Sequence, residues 1–152
     1  MRLAILSDTH GLLRPEVRQI LTTVDAIVHA GDFHTPAIVA ELEQYAPLYG
    51  VRGNNDHDWA LSLPYHRTIC LEGTHFLVVH NKKDVPTDLT GIQVVVYGHS
   101  HQYVQKEIDG ILWINPGSCG PRRFRQEITM AVLEIHQGNI QITKLVFPHE
   151  VK

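Results

Sequence analysis

Short apolar runs that alternate with helix-like segments constrain the fold of this chain more than any other feature. Residues 3–6, 26–30 and 48–51 are rich in apolar, strand-forming side chains. Between these runs, Pro15 and Pro36 mark helix starts, and each is followed by apolar residues at helical spacing. Thr35 is in place to cap the second helix. This β-α-β-α-β order predicts parallel strands joined by right-handed crossovers.

The second half of the chain changes to paired strands. Three pairs of apolar runs surround turn-forming residues, which predicts hairpins at residues 66–79, 104–114 and 128–147. A continuous apolar run at residues 92–97 predicts one more buried strand. Residues 82–91 predict a loop or a short helix between the paired strands.

Length and composition limit the class of protein. A chain of 152 residues fits one domain, so we predict a single α/β domain over residues 1–152, a two-sheet β-sandwich flanked by α-helices. The net charge of −3 gives no basic surface for long nucleic acid. Two cysteines do not form a disulfide framework, and no apolar segment has the length of a signal or membrane-spanning segment. We therefore expect a cytoplasmic protein without a membrane partner.

Five of the predicted strands end in residues that commonly bind metal ions. They are Asp8 and His10, Asp32, Asn54, His80, and His99 with His101. Because the carboxyl ends of neighbouring parallel strands meet at one edge of a sheet, we expect these side chains to converge. Carboxylate, imidazole and amide ligands without a thiolate indicate a two-metal hydrolytic site.

Taken singly, most of these motifs have a simpler explanation. Asp32 is also well placed to cap a helix, and residues 53–56 are also typical of a turn. Asp8 and His10 are two residues apart, so strand alternation would direct both to the same side. The stretch at residues 98–101 is the most specific, because two imidazoles directly after a buried strand are hard to explain by packing.

The order of the motifs resembles that of a known family. Asp-x-His, Gly-Asp, Gly-Asn, a lone His and Gly-His-x-His occur here as in the calcineurin-like metallophosphoesterases, and most closely as in their small YfcE-like branch. Residues 115–118, Asn-Pro-Gly-Ser, also resemble a loop common in that branch. The resemblance extends from Asp8 to about Arg123 and implies the family fold of α-β-β-α layers.

The resemblance also implies a binuclear metal centre. One ion would be held by Asp8, His10 and His101, the other by Asn54, His80 and His99, with Asp32 bridging the two. We predict two divalent ions, manganese first, with nickel, iron or zinc as alternatives. A hydroxide bridging the ions would attack phosphorus in line with the leaving oxygen. We predict that Asp32, Asn54 and His99 take part directly in catalysis.

Two positions depart from the family pattern. Many family phosphatases carry a histidine after the motif asparagine that protonates the leaving group, whereas this chain has Asn55. An amide cannot donate that proton, so His34 and His57 are alternative donors by nearness in sequence, with surface roles as the simpler explanation. The second departure is Asn81, which follows His80 where the family often has glycine.

The small YfcE-like branch often lacks the proton-donating histidine too and is associated with phosphodiester hydrolysis, so the resemblance favours a phosphodiesterase acting on a small phosphoester. A phosphomonoesterase or a cyclic-nucleotide or nucleotide hydrolase on the same site is the alternative, and a non-catalytic metal-binding scaffold, like the retromer subunit of this fold, is a further one. We predict that Asn55, Arg122 and Arg123 contact the substrate, with Arg52 as an additional candidate. A solvated basic turn explains the two adjacent arginines equally well. Apolar hairpin edges are compatible with a homo-oligomer.

Overall fold

The computed structural model describes residues 1–123 and 126–148. Two α-helices and ten strands make up the regular structure of these residues, together with two single 3₁₀ turns at Asp58–Ala60 and Lys82–Asp84. The elements are β1 Arg2–Leu6, α1 Pro15–Leu21, β2 Ala26–His29, α2 Pro36–Tyr45, β3 Leu48–Gly50, β4 His66–Leu71, β5 Thr74–Val79, β6 Val94–Val96, β7 Tyr103–Ile108, β8 Ile111–Pro116, β9 Ile128–His136 and β10 Asn139–Phe147.

The first sheet has the strand order β10-β9-β1-β2-β3. Strands β1, β2 and β3 are parallel, and Leu6 pairs with His29 at the end of β1. The predicted β-α-β-α-β unit is therefore present. The hairpin of β9 and β10 extends this sheet, because β9 pairs antiparallel with β1 and places Leu133 opposite Leu3.

The second sheet has the strand order β4-β5-β6-β8-β7. Its three inner strands, β5, β6 and β8, are parallel, and β4 and β7 are their antiparallel hairpin partners. All three predicted hairpins are present. Strand β6 is shorter than the apolar run that predicted it, because only Val94–Val96 pair with both neighbours.

The sheets pack face to face over an apolar core. Leu3, Ile5 and Val28 of the first sheet share one buried cluster with Phe76 and Ile114 of the second. Burial of side chains of this size contributes about 1.5–3 kcal/mol each relative to exposure. The core therefore fixes the two sheets against each other and, with them, the loops at their ends.

The outer faces of the sheets are covered differently. Both helices lie on the first sheet, where Val17 and Leu42 pack in one cluster with Leu6 and Met130. The outer face of the second sheet is covered by the irregular segment that follows β5, including Val85. The two-sheet α/β architecture is thus confirmed, with the described helices on one side and a loop containing one 3₁₀ turn on the other.

Helix α2 begins as the sequence predicts, with Pro36 in its first turn. The side chain of Thr35 occupies the N-cap position but makes no capping hydrogen bond, so the start of this helix rests on Pro36 and on packing of Ile38. Within the described residues, no helix is both long and apolar enough to cross a bilayer.

Candidate metal centre

The carboxyl ends of strands from both sheets bring the predicted ligands to one edge of the sandwich. Asp8 and His10 follow β1, and His101 follows β6. The Oδ1 atom of Asp8 lies 3.7 Å from His10 Nε2 and 3.5 Å from His101 Nε2. These three side chains offer ligand atoms within 4.8 Å of one another.

A second group shares Asp8 with the first. Asp32, after β2, and His80, after β5, complete it, again with ligand atoms within 4.8 Å. The Oδ2 atom of Asp32 lies 3.3 Å from His80 Nε2 and 3.6 Å from His10 Nε2. Both carboxylates therefore lie between the two groups, and Asp8 as well as Asp32 has the position of a bridging ligand.

Asn54 and His99 lie on the His80 side of the cluster. The Oδ1 atom of Asn54 is 2.8 Å from His80 Nε2 and 3.2 Å from His99 Nδ1. The structure thus brings all seven residues that we predicted as ligands to one place. Their individual roles as ligands, and the catalytic roles of Asp32, Asn54 and His99, stay predictions.

The spacing between the possible ligand atoms suits a shared divalent cation better than it suits hydrogen bonds between the side chains. Asp8 Oδ1 and His10 Nε2, which face each other, are buried and have no hydrogen-bond partner among the described residues. Spacings of 3.5–3.7 Å between Asp8 and the imidazoles are too long for hydrogen bonds. Two donor atoms about 2.1 Å from one ion are themselves about 3.0–3.4 Å apart, which is close to these spacings.

The backbone at the ligands is left-handed. Five of the predicted ligands have positive φ values, namely Asp8 (56°), His10 (45°), Asp32 (63°), His99 (73°) and His101 (61°). Such values are uncommon outside glycine and concentrate at functional sites. Asp8 and His10 also lie beyond the end of β1, so strand alternation does not aim them, and our argument from it was wrong about the cause.

Asn55 positions Asp32. Its backbone N–H donates to Asp32 Oδ1 at 2.9 Å and its side-chain amide donates to Oδ2 at 3.1 Å. Burial disfavours the charged form of Asp32, but hydrogen bonding and charge from His80, with the donors of Asn55, outweigh burial and lower the pKa of this carboxyl. Asp32 is therefore ionised at neutral pH, as a metal ligand must be.

His80 is oriented by the backbone. Its Nδ1–H donates to the carbonyl of Ala30 at 2.7 Å, which directs Nε2 toward Asp32 and Asn54. Burial alone would lower the pKa of His80, but the hydrogen bond and charge of Asp32, with the charge of Asp8, raise it. A positive charge is thus favoured at the point where Nε2 faces the acceptor oxygens, which is also what a bound cation would supply.

Asp56 is a supporting residue that we did not predict. Its buried carboxylate accepts hydrogen bonds of 2.9 Å from the backbone N–H groups of Asp32, His34 and Gly53. It therefore ties the loop after β2 to the loop after β3. The sequence shows Asp56 only as the last residue of Gly53–Asp56, which is also an ordinary turn sequence.

His29 is a second supporting residue outside our prediction. The ring is fully buried, accepts from the Gly31 N–H at 3.0 Å through Nδ1, and lies 3.0 Å from Thr9 Oγ1 through Nε2. Because Nδ1 accepts, Nε2 carries the proton and donates to Thr9. Burial lowers the pKa of His29 to about 3, so the ring is neutral. Its place within an apolar run gave no sign of this contact.

The predicted proton donors and Arg122 differ in where they lie relative to the predicted ligands. The ring of His34 is exposed and lies 6.2 Å from the ring of His10. His57 is also exposed, and its carbonyl accepts from Arg52 and from the Ala60 N–H. Arg122 is exposed and donates to the Gln126 carbonyl at 3.1 Å. The structure therefore places His34, and not His57, beside the ligands.

The two remaining arginines differ in their surroundings. Arg52 donates to the Asp56 carbonyl at 3.0 Å and lies over the ring of Tyr65, which indicates a structural role in this loop. Arg123 is exposed. Burial and the charges of Arg123 and His10 lower the pKa of His101, against an opposing effect of the Asp8 charge. Arg123 is thus the arginine whose charge reaches the cluster.

Comparisons with known proteins agree with this geometry. The family model described as the calcineurin-like phosphoesterase superfamily domain matches residues 1–138. A probable metallophosphoesterase of Methanothermobacter thermautotrophicus is 32% identical over 132 residues, which cover 78% of this chain and 77% of the relative. Phosphodiesterase MJ0936 of Methanocaldococcus jannaschii is 29% identical over 141 residues, 78% of this chain and 84% of the relative.

A solved structure gives the same result. The phosphoesterase YfcE from E. coli superimposes with a TM-score of 0.71 at 25% identity, and the match covers 88% of each chain. The resemblance to the YfcE-like branch is thereby confirmed together with the fold.

Proposed function

The chain belongs to the calcineurin-like phosphoesterase superfamily, and we propose that it is a phosphodiesterase that hydrolyses a small phosphoester with two divalent ions. The observation that carries the proposal is the buried pair of carboxylates, Asp8 and Asp32, enclosed by imidazoles at 3.3–3.7 Å. Asp8 Oδ1 is buried and accepts no hydrogen bond from the described residues. Such a cluster is suited to hold cations in front of a phosphoryl group.

The family pattern and the grouping of the side chains support the following roles. His10 and His101 with Asp8 would hold one ion, and Asn54, His80 and His99 the other, with Asp32 shared. When bound, the ions lower the pKa of a coordinated water and neutralise phosphoryl oxygens. The chain itself keeps Asp32 ionised through Asn55 and aims His80 through the Ala30 carbonyl.

The hydrolysis needs no other reactant. The oxygen of water forms a bond to phosphorus, the bond from phosphorus to one ester oxygen breaks, and the departing alcohol takes up a proton. Cys119, the buried cysteine near Asp8, does not serve as a nucleophile, because burial raises the pKa of its thiol to about 12.

Diesters are favoured over monoesters by the surroundings of Asn55. Its side-chain amide donates to Asp32 and has no proton to give to a leaving group. This position therefore offers no proton to the leaving group, as is often so in the small YfcE-like branch, which is associated with phosphodiester hydrolysis. The name of the relative MJ0936, a phosphodiesterase, supports the same choice.

A metal panel with paired substrates tests the proposal. The protein is stripped with chelator, reloaded with Mn²⁺, Ni²⁺, Fe²⁺ or Zn²⁺, and assayed with bis-p-nitrophenyl phosphate and with p-nitrophenyl phosphate. We expect hydrolysis of the diester to exceed that of the monoester, with Mn²⁺ as the best activator. The Asp32→Ala variant should lose both bound metal and activity, whereas Asp58→Ala, an exposed carboxylate nearby, should lose neither.

Two results would count against the proposal. A clear preference for the monoester would make the protein a phosphomonoesterase. A lack of hydrolysis with every metal, in protein that still binds metal, would favour the scaffold alternative.

A further inference from the structure

A cavity of about 380 Å³, lined by residues with polar or charged groups, adjoins the candidate metal centre. His101 lines one end of it, and its Nε2 atom also lies 3.5 Å from Asp8 Oδ1. Its other walls include Gln102, Gln126 and Lys144. A phosphoester held at the metal centre therefore has one substituent within reach of this cavity, which has the volume of a site for a small organic group.

Two amide side chains that line this cavity have hydrogen-bonding groups that the described residues leave largely unused. Within residues 1–123 and 126–148, the side chain of Gln102 makes no hydrogen bond. The side chain of Gln126 makes a single long one there, 3.5 Å from its Nε2 atom to the Ser100 carbonyl. Each primary amide has two donor hydrogens and an acceptor oxygen. A ligand with several hydroxyl groups can use both kinds of partner.

Two oppositely charged side chains that line the cavity form an ion pair with each other. Lys144 Nζ lies 2.9 Å from Glu127 Oε1, and both residues line the cavity. The same Nζ atom lies 5.0 Å from the centre of the Tyr103 ring, so one face of this ring is already covered. The cavity thus offers no uncompensated charge from this pair to a second phosphate, and this ring face is not open to an aromatic group.

We propose that this cavity binds one alcohol group of the phosphodiester substrate and selects an uncharged alcohol that carries hydroxyl groups, such as a polyol or a sugar. The inference rests on the proposed phosphodiesterase function and adds a substrate class to it. Gln102 and Gln126 are the residues that would recognise the hydroxyl groups.

Two diesters with the same leaving group test the cavity. One is the p-nitrophenyl ester of glycerol phosphate and the other is p-nitrophenyl phenyl phosphate, so that only the retained alcohol differs. The parent protein loaded with Mn²⁺ should show a higher kcat/KM for the glycerol compound, mainly through a lower KM. The Gln102→Leu variant should lose about tenfold of this preference, as expected for one lost hydrogen bond.

Gln141→Leu is the matched control, because Gln141 is exposed on β10 and does not line this cavity. It should keep the preference of the parent. Melting temperatures of both variants should equal that of the parent, since both side chains are exposed.

The outcomes separate the two proposals. Equal kcat/KM for the two diesters in the parent, or an unchanged preference in Gln102→Leu, would overturn the cavity proposal and leave the phosphodiesterase intact. Hydrolysis of neither diester with any metal would overturn the phosphodiesterase proposal itself, and the cavity proposal with it.

Discussion

Asp56 shows how one buried side chain can position a predicted metal ligand through its backbone, without contact to its side chain. Its two carboxylate oxygens accept from three backbone N–H groups, among them those of Asp32 and Gly53. Charged acceptors make hydrogen bonds roughly twice as strong as neutral ones, and a buried N–H without a partner is costly. The geometry of the ligand Asp32 therefore depends on a residue one loop away.

Replacing Asp56 with asparagine should weaken this arrangement. An amide has one acceptor oxygen, so at least one of the three N–H groups loses its partner. We expect the free energy of unfolding to fall by about 2–3 kcal/mol and the affinity for Mn²⁺ to fall about tenfold or more. Urea denaturation and titration calorimetry measure the two effects.

Asp58 supplies the control for this experiment. It is exposed two residues further along, and Asp58→Asn should behave like the parent. Unchanged Mn²⁺ affinity in a folded Asp56→Asn variant would show that the loops hold their geometry without this carboxylate.

The buried ring of His29 should make stability depend on pH. Its pKa is about 3 in the folded protein and about 6.5 when unfolded, so below pH 6.5 the unfolded chain binds one more proton. The contribution of His29 to stability is full above pH 6.5 and is lost as the pH falls toward 3. Its slope between pH 6 and pH 4 is about 1.4 kcal/mol per pH unit.

The His29→Gln variant cannot take up this proton. Its free energy of unfolding should therefore fall less steeply between pH 6 and pH 4, whatever its value at neutral pH. Denaturation at several pH values measures the slope. The variant His136→Gln, at an exposed histidine at the end of β9, should keep the slope of the parent, and an equal slope in His29→Gln would contradict the assignment.

At the scale of elements, the ends of strands from different sheets approach closely at Gly98. An added Cβ there would collide with Ser7 Oγ and lie 2.8 Å from Asp8 Oδ2. Ser7 and the backbone N–H of His99 both donate to that same oxygen. The glycine therefore allows the loop after β6 to reach the loop after β1.

Gly98→Ala should separate these two loops. We expect kcat to fall by about tenfold or more, because small displacements of catalytic groups are costly, and metal affinity to fall with it. The double variant Ser7→Ala/Gly98→Ala removes the hydroxyl involved in the collision and should recover part of the loss. No recovery would mean that the collision with Ser7 is not the cause. Steady-state kinetics and calorimetry on the two variants supply the measurements.

Elements that depend on local sequence were predictable. The apolar runs of β1 and β2, the proline at the start of α2 and the Asp109-Gly110 turn each specify their own structure. Pairing over long distances was not predictable, because an apolar run such as β9 fits either sheet equally well by pattern. That β9 lies beside β1 is decided by packing of the whole core.

Part of the candidate site was likewise predictable from the sequence, and part was not. Its ligands were visible because polar residues such as Asp32 and His80 interrupt or end apolar strands. The supporting contacts of Asp56 and His29 were not visible, because they include partners in distant loops: the Asp32 N–H lies 24 residues from Asp56, and the Thr9 hydroxyl lies 20 residues from His29. The cover on the second sheet was also unpredictable in detail, since residues 82–91 lack a helical pattern.

At the scale of the whole molecule, the candidate centre joins the two sheets. Asp8, Asp32 and Asn54 follow strands of the first sheet, whereas His80, His99 and His101 follow strands of the second. A cation held by ligands from both sheets binds the folded protein and not the unfolded chain. Metal binding should therefore stabilise the fold as a whole, in addition to any role in chemistry.

Removal of metal should accordingly lower the melting temperature. At a free Mn²⁺ concentration of about one hundred times Kd, one bound ion stabilises by about 2.7 kcal/mol. For a chain of this length that corresponds to about 5–10 °C. Chelator should reverse the shift, and His80→Asn should reduce it, since His80 follows a strand of the second sheet and faces Asp32, which follows a strand of the first. His136→Asn, on the exposed end of β9, should keep it. If instead Mn²⁺ raised the melting temperature of His80→Asn as much as that of the parent, His80 would not hold an ion that stabilises the fold.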